Sequence, residues 1–302
     1  FITGGNGMVG KNLINYINRE DKYIVLAPTR SELDLLDLNA VTNYLKKNRP
    51  NIIIHCAGLV GGINANIERP FSFLLHNTIL GFNLVNASIE NSIKCLINLG
   101  SSCMYPKNSD DYLQEDDILC GKLEETNEGY ALAKISVSRL CQYAKKEFGF
   151  DYKTIIPCNL FGKFDNFHPD KSHLIPAAIR KIHLAKTNNT IPIIWGDGNA
   201  RREFMFTEDL ASFIIYAIKN YDKLDSIMNI GIGKDYSIFE YYKTISKVLG
   251  YNGDFKFDKT KPSGMKRKLC SIKKQTKLGW KPIHNLEEGI AKTYKYYLET
   301  YG

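Results

Sequence analysis

The sequence lacks the features of membrane-spanning, disulfide-bonded and metal-binding proteins. Its apolar runs fall well short of the roughly 18 residues that a spanning helix needs, and no secretory signal is visible. The seven cysteines form no CxxC pair and no metal-ligand spacing, and their odd number predicts reduced thiols in a cytoplasm. Because the chain opens on FITGGNGMVG, which already has the pattern of a strand and a turn, we expect a few residues to precede Phe1.

The net charge of +8 is spread along the chain rather than concentrated in one region. Lysines and arginines occur in short clusters such as KKNR and KRK, and no basic stripe is interleaved with aromatic residues. This pattern disfavours a nucleic-acid partner, because such partners are bound by clustered basic surfaces. The excess of positive charge instead favours a small ligand that carries phosphate.

Short apolar runs alternate with helical patterns through the first half of the chain. Runs rich in β-branched residues lie at 23–28, 51–58, 93–102 and 152–162, and helical patterns lie at 9–19, 38–48, 71–90 and 130–149. Continuous apolar strands separated by helices predict a doubly wound α/β fold, with a parallel sheet covered on both faces. The second half is less regular and predicts a smaller α/β domain.

A glycine-rich turn, TGGNGMVG, follows the first strand and precedes the first helix. Gly4 allows a tight turn, Gly7 lets the backbone approach a pyrophosphate, and Gly10 lets the helix pack closely on the strand. The helix that begins at Met8 and Val9 presents free N–H groups to the same phosphates. The predicted domains are a Rossmann-type dinucleotide-binding domain at residues 1–160 with returning segments near 203–232, and a mainly substrate-binding domain at 161–302.

The segment APTRSELD occupies the place where such domains contact the adenosine ribose. Arg30 lies twenty positions after Gly10, where an NAD-binding unit usually offers an acidic residue to the ribose hydroxyls. A guanidinium at this place suits a 2′-phosphate, so the sequence favours NADP(H). Asp34 is close enough in sequence to keep NAD(H) open.

A serine at a strand end and a tyrosine–lysine pair on the next helix form a candidate proton-transfer site. Ser101 follows the apolar strand CLINLG, at the sheet edge where α/β proteins bind ligands. Tyr130 and Lys134 are four residues apart and share one helix face. The ammonium and a bound nicotinamide are expected to lower the tyrosine pKa from about 10 toward neutrality. Tyr130 would then protonate a carbonyl oxygen that Ser101 hydrogen-bonds, while Lys134 tunes the tyrosine and holds the ribose.

These residues, together with several longer segments, resemble the extended short-chain dehydrogenase/reductases, and more narrowly the GDP-L-fucose synthase family. The matching segments, in the family's order, are GGNGMVG, LGSSCMYPK, TNEGYALAK, NLFGKFDNFHPDKSHLIPA and WGDGNARREF. The resemblance implies an NADPH-dependent enzyme that takes GDP-4-keto-6-deoxymannose. Such enzymes epimerise C3 and C5 and then reduce C4.

The resemblance also implies roles for a cysteine and a histidine. Epimerisation needs a base on one face of the sugar and an acid on the other, and the family places these roles on Cys103 and His173. Nucleotide-sugar 4,6-dehydratases carry an adjacent Asp-Glu pair after the strand-end hydroxyl residue. Cys103 and Met104 stand at those places here, so dehydration lacks its acid.

Further residues are implied to contact the ligands. Asn159 and His173 would contact the cofactor as well as the sugar. The residues implied to face the GDP-sugar are Asn159, Lys181, Trp195, Arg202 and Lys268. Members of the family pair as homodimers through two long helices, which correspond here to about 71–90 and 128–147.

The chain also departs from the family's usual pattern. GGNG lacks a histidine and an arginine of bacterial relatives, Gly129 replaces a usual proline, Asn64 stands near the expected sugar pocket, and REFMFTED replaces a histidine-bearing segment. These departures leave open a reductase that acts at C4 of a GDP-4-keto-heptose without epimerising it. A non-catalytic NADP-sensing protein is the remaining alternative, although a sensor would need neither the serine nor the tyrosine–lysine pair.

Overall fold

The chain is built around a parallel sheet with helices on both faces. The computed structural model describes residues 1–20, 22–107, 112–169, 171–261 and 265–302. The strands are β1 Ile2–Thr3, β2 Ile52–His55, β3 Cys95–Leu99, β4 Lys153–Pro157, β5 Asn159–Phe161, β6 Ile193–Trp195, β7 Arg201–Arg202, β8 Phe204–Phe206, β9 Ile227–Ile230, β10 Tyr236–Ser237, β11 Lys256–Asp258 and β12 Arg267–Lys268. The α-helices are α1 Met8–Ile17, α2 Leu38–Asn48, α3 Ile63–Glu68, α4 Pro70–Glu90, α5 Glu128–Phe148, α6 Leu174–Asn188, α7 Thr207–Lys219, α8 Ile238–Leu249, α9 Lys273–Leu278 and α10 Leu286–Tyr301. Within these ranges, no helix is long and apolar enough to cross a membrane.

Five strands form the main sheet in the order β1-β2-β3-β4-β9, and every neighbouring pair is parallel. Ile53 and Leu96 belong to a core that contains residues of α2, α4 and α5. Ile54 and Ile97 belong to the core on the opposite face, with residues of α1 and α7. Successive strand residues point to opposite faces, so each continuous apolar run fills both cores. The predicted doubly wound α/β fold is confirmed.

The predicted strand at 23–28 is wrong. The segment reaches β1 through a hydrogen bond from the Ile2 backbone N–H to the Leu26 carbonyl oxygen, at 2.8 Å, but it has no strand geometry. Ile24 is 94% exposed. Other side chains of the segment pack on both cores, with Val25 and Ala27 on one and Leu26 on the other. Among the described residues, the Ile2–Leu26 bond is the one backbone hydrogen bond that links the segment to β1, which is too little pairing for a strand.

The predicted strand at 152–162 divides at Cys158 into β4 and β5. β4 continues the main sheet, whereas β5 leaves it and pairs with β8 in parallel. Helix α7 follows β8 directly and packs on α1. This helix lies inside the returning segment near 203–232. The sequence pattern does not mark it there, because most of its residues are buried.

The glycine turn between β1 and α1 depends on the absence of side chains. Gly4 has a φ of +69°, and a Cβ there would lie 2.7 Å from the Ala57 Cα. A Cβ at Gly10 would collide with the Gly4 carbonyl oxygen and lie 2.7 Å from the Gly5 Cα. The first turn of α1 therefore lies directly against the loop that leaves β1.

The second half of the chain has its own core between α6, α8 and α10, with aromatic residues such as Phe204 and Tyr241. A buried carboxylate joins this region to the end of β9. Glu203 accepts hydrogen bonds from the Ile232 and Gly233 N–H groups, both at 2.8 Å, and from the Cys270 N–H at 3.0 Å. Burial raises the pKa of Glu203 to about 7.

The close approach of α4 and α5 at Gly81 can be tested by stability. A methyl group at Gly81 would collide with the Val137 side chain, so we expect Gly81→Ala to lower the free energy of unfolding by about 1–3 kcal/mol. Adding Val137→Ala should recover part of this loss, because it removes the obstacle. Urea unfolding of the two single variants and the double variant measures both effects.

Asn86→Ala, at an exposed position of the same helix, is the matched control and should change stability little. If the losses of Gly81→Ala and Val137→Ala simply add, the helices are not in contact at this point.

Candidate functional site

Two cavities lie beyond the carboxyl ends of the main-sheet strands. The first, which we call the glycine-turn cavity, has a volume of about 290 Å³ and is lined by residues from the glycine turn, the 28–36 segment and the end of β2. The second, the Tyr130 cavity, has a volume of about 250 Å³. The segment after β2 connects them, because residues 56–59 line the first cavity and residues 60–63 line the second.

The glycine-turn cavity offers groups that can bind the phosphates of a dinucleotide. Gly4 and Gly7 line it, and Gly7 precedes α1 without capping it by a side chain, which leaves the N–H groups of the first turn to a ligand. Arg30 and Asp34 also line this cavity, with 4.0 Å between the guanidinium and the carboxylate. The Arg30 side chain is 80% exposed, so it can turn toward a phosphate. Met8 and Val9 begin α1 beside the turn.

Ser101, Tyr130 and Lys134 are brought together as the sequence predicts. Ser101 and Tyr130 line the Tyr130 cavity and share a hydrogen bond. The Lys134 ammonium donates to the Leu99 carbonyl oxygen at 2.9 Å and lies 5.7 Å from the centroid of the Tyr130 ring. Phe73 contacts the same ring edge-on, with 6.3 Å between the centroids.

The protein by itself raises the pKa of Tyr130, and the predicted fall in the presence of a bound nicotinamide stays a prediction. Burial raises the pKa of Tyr130, and the nearby Cys103 raises it further, while the hydrogen bond with Ser101 opposes both. Burial lowers the pKa of Lys134 to about 8, and its ammonium lies over the Tyr130 ring. Tyr130 is therefore a neutral phenol at pH 7, the protonation state that a proton donor requires.

Cys103 and His173 also line the Tyr130 cavity. Cys103 lies in the short 3-10 helix Ser102–Met104, and its backbone N–H donates to the Ser101 hydroxyl at 3.2 Å. His173 immediately precedes α6 and remains exposed to the cleft. Desolvation by the surrounding protein lowers the pKa of His173.

The residues implied to contact the sugar nucleotide fall into two groups. Asn159, Arg202 and Lys268 line the Tyr130 cavity, and the Asn159 side-chain amide donates to the Glu203 carbonyl oxygen at 2.9 Å. Lys181 and Trp195 do not line it. They form a separate patch on the smaller domain, where the Lys181 ammonium lies 5.0 Å from the Trp195 ring centroid.

Lys261 extends this patch, with its ammonium 5.6 Å from the Trp195 ring. Trp195 is 44% exposed. An exposed indole between two ammonium groups offers an aromatic face and positive charge to the same ligand. The sequence gives no signal for Lys261, because its proximity to Trp195 arises from the pairing of β11 with β6.

Two asparagines of the Tyr130 cavity are not predicted by the sequence. Asn66 lines the cavity and donates to the Gly61 and Gly62 carbonyl oxygens, both at 3.0 Å, whereas the expected Asn64 is exposed. Asn127 lines the cavity too, and its amide nitrogen lies 3.3 Å from the Cys103 sulfur. Asn127 lies within the TNEGYALAK segment, but its contact with a residue after β3 is a long-range one.

The described residues contain no group of three or more His, Cys, Asp or Glu side chains that could hold a metal ion.

Known proteins with similar sequences and folds share this arrangement of the chain. A family model described as the NAD dependent epimerase/dehydratase family matches residues 1–231. The chain is 53% identical over 299 residues to the GDP-L-colitose synthase of Yersinia pseudotuberculosis, covering 98% of this chain and 97% of that protein. It is 48% identical to the GDP-L-fucose synthase of Azorhizobium caulinodans, covering 98% and 95%.

A solved structure, the GDP-mannoheptose C4 reductase MlghC from Campylobacter jejuni with NADP bound, is similar with a TM-score of 0.90 and 31% sequence identity, covering 98% of this chain and 97% of that one. The family model and the curated relatives each extend over most of the sequence. The chain therefore belongs to the NAD dependent epimerase/dehydratase family and, within it, to the GDP-L-fucose synthase family.

Proposed function

We propose that the protein reduces C4 of a GDP-4-keto-6-deoxy-sugar with NADPH, after epimerising it at C3 and C5. The observation that supports this most directly is the Tyr130 cavity. It holds a reductase pair, Ser101 and Tyr130, beside an acid–base pair, Cys103 and His173. Relatives at 53% and 48% identity are named GDP-L-colitose synthase and GDP-L-fucose synthase.

NADP(H) is the proposed cofactor, and the glycine-turn cavity is its proposed site. Gly4, Gly7 and Gly10 with the first turn of α1 would hold the pyrophosphate, and Arg30 would pair with the 2′-phosphate. When bound, NADPH supplies the hydride for the reduction. Lys134 would hold the nicotinamide ribose. Its hydrogen bond to the Leu99 carbonyl oxygen already fixes the ammonium at the end of β3.

The reduction needs a proton at the C4 oxygen. Tyr130 is neutral and hydrogen-bonded to Ser101, so its phenol can donate to a carbonyl oxygen that also accepts from the serine. The phenolate that remains after the transfer would lie close to the Lys134 ammonium. Both hydroxyl groups thus act on the same oxygen.

Epimerisation needs two groups that exchange protons with carbons next to the ketone. We assign these roles to Cys103 and His173, which come from different parts of the chain and line the same cavity. The carbanion formed when a proton leaves C3 or C5 is delocalised onto the C4 oxygen, where Ser101 and Tyr130 can stabilise it. The reductase pair therefore serves both steps.

The GDP portion is expected to leave the cavity toward the smaller domain. Arg202 and Lys268 line the exit with positive charge suited to a diphosphate. The patch formed by Lys181, Trp195 and Lys261 offers an aromatic face to the base or sugar. Asn159 and His173 stand where cofactor and sugar would meet.

A second candidate is C4 reduction of a GDP-4-keto-heptose without epimerisation. It is favoured by the similarity to the GDP-mannoheptose C4 reductase, at a TM-score of 0.90. In this case Cys103 and His173 would shape the cavity without exchanging protons.

The assay that tests the proposed function follows NADPH absorbance with GDP-4-keto-6-deoxymannose as substrate. We expect oxidation of NADPH, and we expect Tyr130→Phe to lower kcat by about 10²–10⁴-fold, because the variant lacks the proton donor. Mass spectrometry of the product from D₂O should show deuterium at C3 and C5.

Reduction without label at either carbon would favour the second candidate, and so would turnover of the heptose alone. Absence of NADPH oxidation with either ketosugar would contradict both candidates. Full activity of Tyr130→Phe would remove the tyrosine from its assigned role.

The cofactor preference provides an independent test. Arg30→Ala should weaken NADPH binding about tenfold or more while leaving NADH binding nearly unchanged, because only NADPH carries the 2′-phosphate. Titration of intrinsic fluorescence with each cofactor measures the NADPH and NADH affinities. Lys46→Ala, at an exposed position on α2, serves as the charge-matched control. If the Arg30 variant keeps the wild-type preference for NADPH over NADH, another residue binds the 2′-phosphate.

We also propose the division into a dinucleotide-binding domain at 1–160 with returning segments near 203–232, and a mainly substrate-binding domain at 161–302. The main sheet includes β9 at Ile227–Ile230, and the core between α6, α8 and α10 lies mostly after residue 160. Limited proteolysis that leaves these two units intact would support this division.

A homodimer through α4 and α5 is the proposed assembly. These two helices pack on each other and expose large apolar side chains, namely Phe71, Leu74, Leu75, Phe82, Leu132 and Tyr143. Such a surface is unusual for a monomer and typical of an interface.

Sedimentation velocity at micromolar concentration should therefore show a dimer, and Phe82→Glu should shift it to a monomer, because a charge cannot be buried without a partner. Ile283→Glu, at a 63% exposed residue outside both helices, is the control. A wild-type monomer would contradict the assembly.

A further inference from the structure

We propose that Asn127 is a positioning residue for the Cys103 sulfur, and that it acts on proton exchange at the sugar carbons rather than on cofactor binding. The inference rests on the proposed function, since it takes Cys103 to exchange a proton with the substrate.

The geometry joins two segments that are distant in sequence. The Asn127 amide nitrogen lies 3.3 Å from the Cys103 sulfur, within reach of an N–H···S hydrogen bond. Cys103 follows β3, and Asn127 immediately precedes α5, three residues before Tyr130. Both side chains line the Tyr130 cavity. The same helix start therefore places the phenol and an amide donor around one pocket.

The two ends of the Asn127 amide differ in their surroundings. Within the described part of the chain, the Asn127 amide oxygen is buried and has no hydrogen-bond partner. A buried amide oxygen left unpaired is unfavourable by about 1–3 kcal/mol. An asparagine that served only to hold the backbone would be expected to use both ends of its amide. The N–H end, in contrast, is directed at the sulfur.

The chemistry explains why an amide is useful at this place. To act as a base, Cys103 must be a thiolate, which takes the proton from the carbon while the electron pair of the C–H bond moves toward the C4 oxygen as an enolate. An N–H donor to the sulfur stabilises the negative charge and holds the thiolate in one orientation. Inversion is completed when a proton reaches the opposite face of the same carbon, the role assigned to His173. The Cys103 S–H then loses its proton to solvent, and the same amide contact stabilises the thiolate that forms again.

A lysine beside the sulfur cannot provide this orientation by itself. The Lys268 ammonium lies 3.9 Å from the Cys103 sulfur, so it adds positive charge to the same place. Its long side chain is a flexible point charge, whereas an amide at the start of a helix has a fixed direction. Lys268 is also the group that we assign to the diphosphate.

The proposal is tested with Asn127→Asp, which keeps the shape of the side chain but replaces the N–H donor with an acceptor. The first readout is deuterium uptake by GDP-4-keto-6-deoxymannose in D₂O, measured by mass spectrometry with NADP⁺ bound so that no reduction follows. We expect uptake to slow about tenfold or more, because a hydrogen bond to a charged sulfur is lost. NADPH affinity should stay at the wild-type value.

The second readout needs neither substrate nor cofactor. Alkylation by iodoacetamide, resolved by peptide mass spectrometry, should slow at Cys103 in the variant and stay unchanged at the exposed Cys120. Cys141 is buried and reports unfolding if it becomes alkylated. Should Asn127→Asp unfold, Asn127→Ala provides the same comparison.

The outcomes separate this proposal from the proposed function. If the wild-type protein takes up deuterium, and the variants show the same uptake and the same Cys103 alkylation, the positioning role is overturned. The epimerase part of the proposed function then remains in place. No uptake by the wild-type protein overturns the epimerase part of the proposed function together with this inference. If deuterium uptake and NADPH affinity both fall in the variants, the positioning role is overturned and Asn127 instead supports the structure of the site as a whole.

Discussion

The buried ammonium of Lys134 connects the sheet to the helix that carries the site. Lys134 is 7% exposed and donates to the Leu99 carbonyl oxygen at 2.9 Å, which attaches α5 to the carboxyl end of β3. Burial disfavours its charge, as its lowered pKa of about 8 shows, and the carbonyl partly compensates for the lost water. Since α5 is fixed at this point, the helical repeat brings Tyr130 beside Ser101. The residue just before the helix, Asn127, then reaches Cys103.

The parallel sheet supplies the second constraint, because all of its strands end at one edge. The glycine turn after β1, the loop after β2 and the 3-10 helix after β3 therefore converge without any long-range sequence signal. The loop after β2 borders both cavities, and it continues into α3, where Asn66 fixes the Gly61–Gly62 segment through two hydrogen bonds. A ligand in one cavity and a ligand in the other would thus share a wall.

The second half of the chain lines the Tyr130 cavity with groups that are separated in sequence. His173 comes from the start of α6, Arg202 from β7 and Lys268 from β12. β7 pairs with β12, so the last two are neighbours in register. The adjacent Glu203 accepts from the Ile232 and Gly233 N–H groups after β9 and from the Cys270 N–H after β12, which ties this region to the main sheet. A buried carboxylate with this many donors fixes the position of the substrate-side cations relative to the main sheet.

Local patterns in the sequence determined the alternation of strands and helices, the glycine turn, and the shared helix face of Tyr130 and Lys134, because each follows from short-range periodicity and backbone sterics. The tertiary structure decided what depends on burial and on distant contacts. The 23–28 segment has an apolar pattern and packs on both cores, but the described residues show a single backbone hydrogen bond from it to β1, so it forms no strand. Tyr130 has its pKa raised because desolvation and the nearby Cys103 outweigh the hydrogen bond with Ser101. Asn127 contacts Cys103 because two segments that are distant in sequence converge at one sheet edge. The spacing of residues along the chain does not predict this contact.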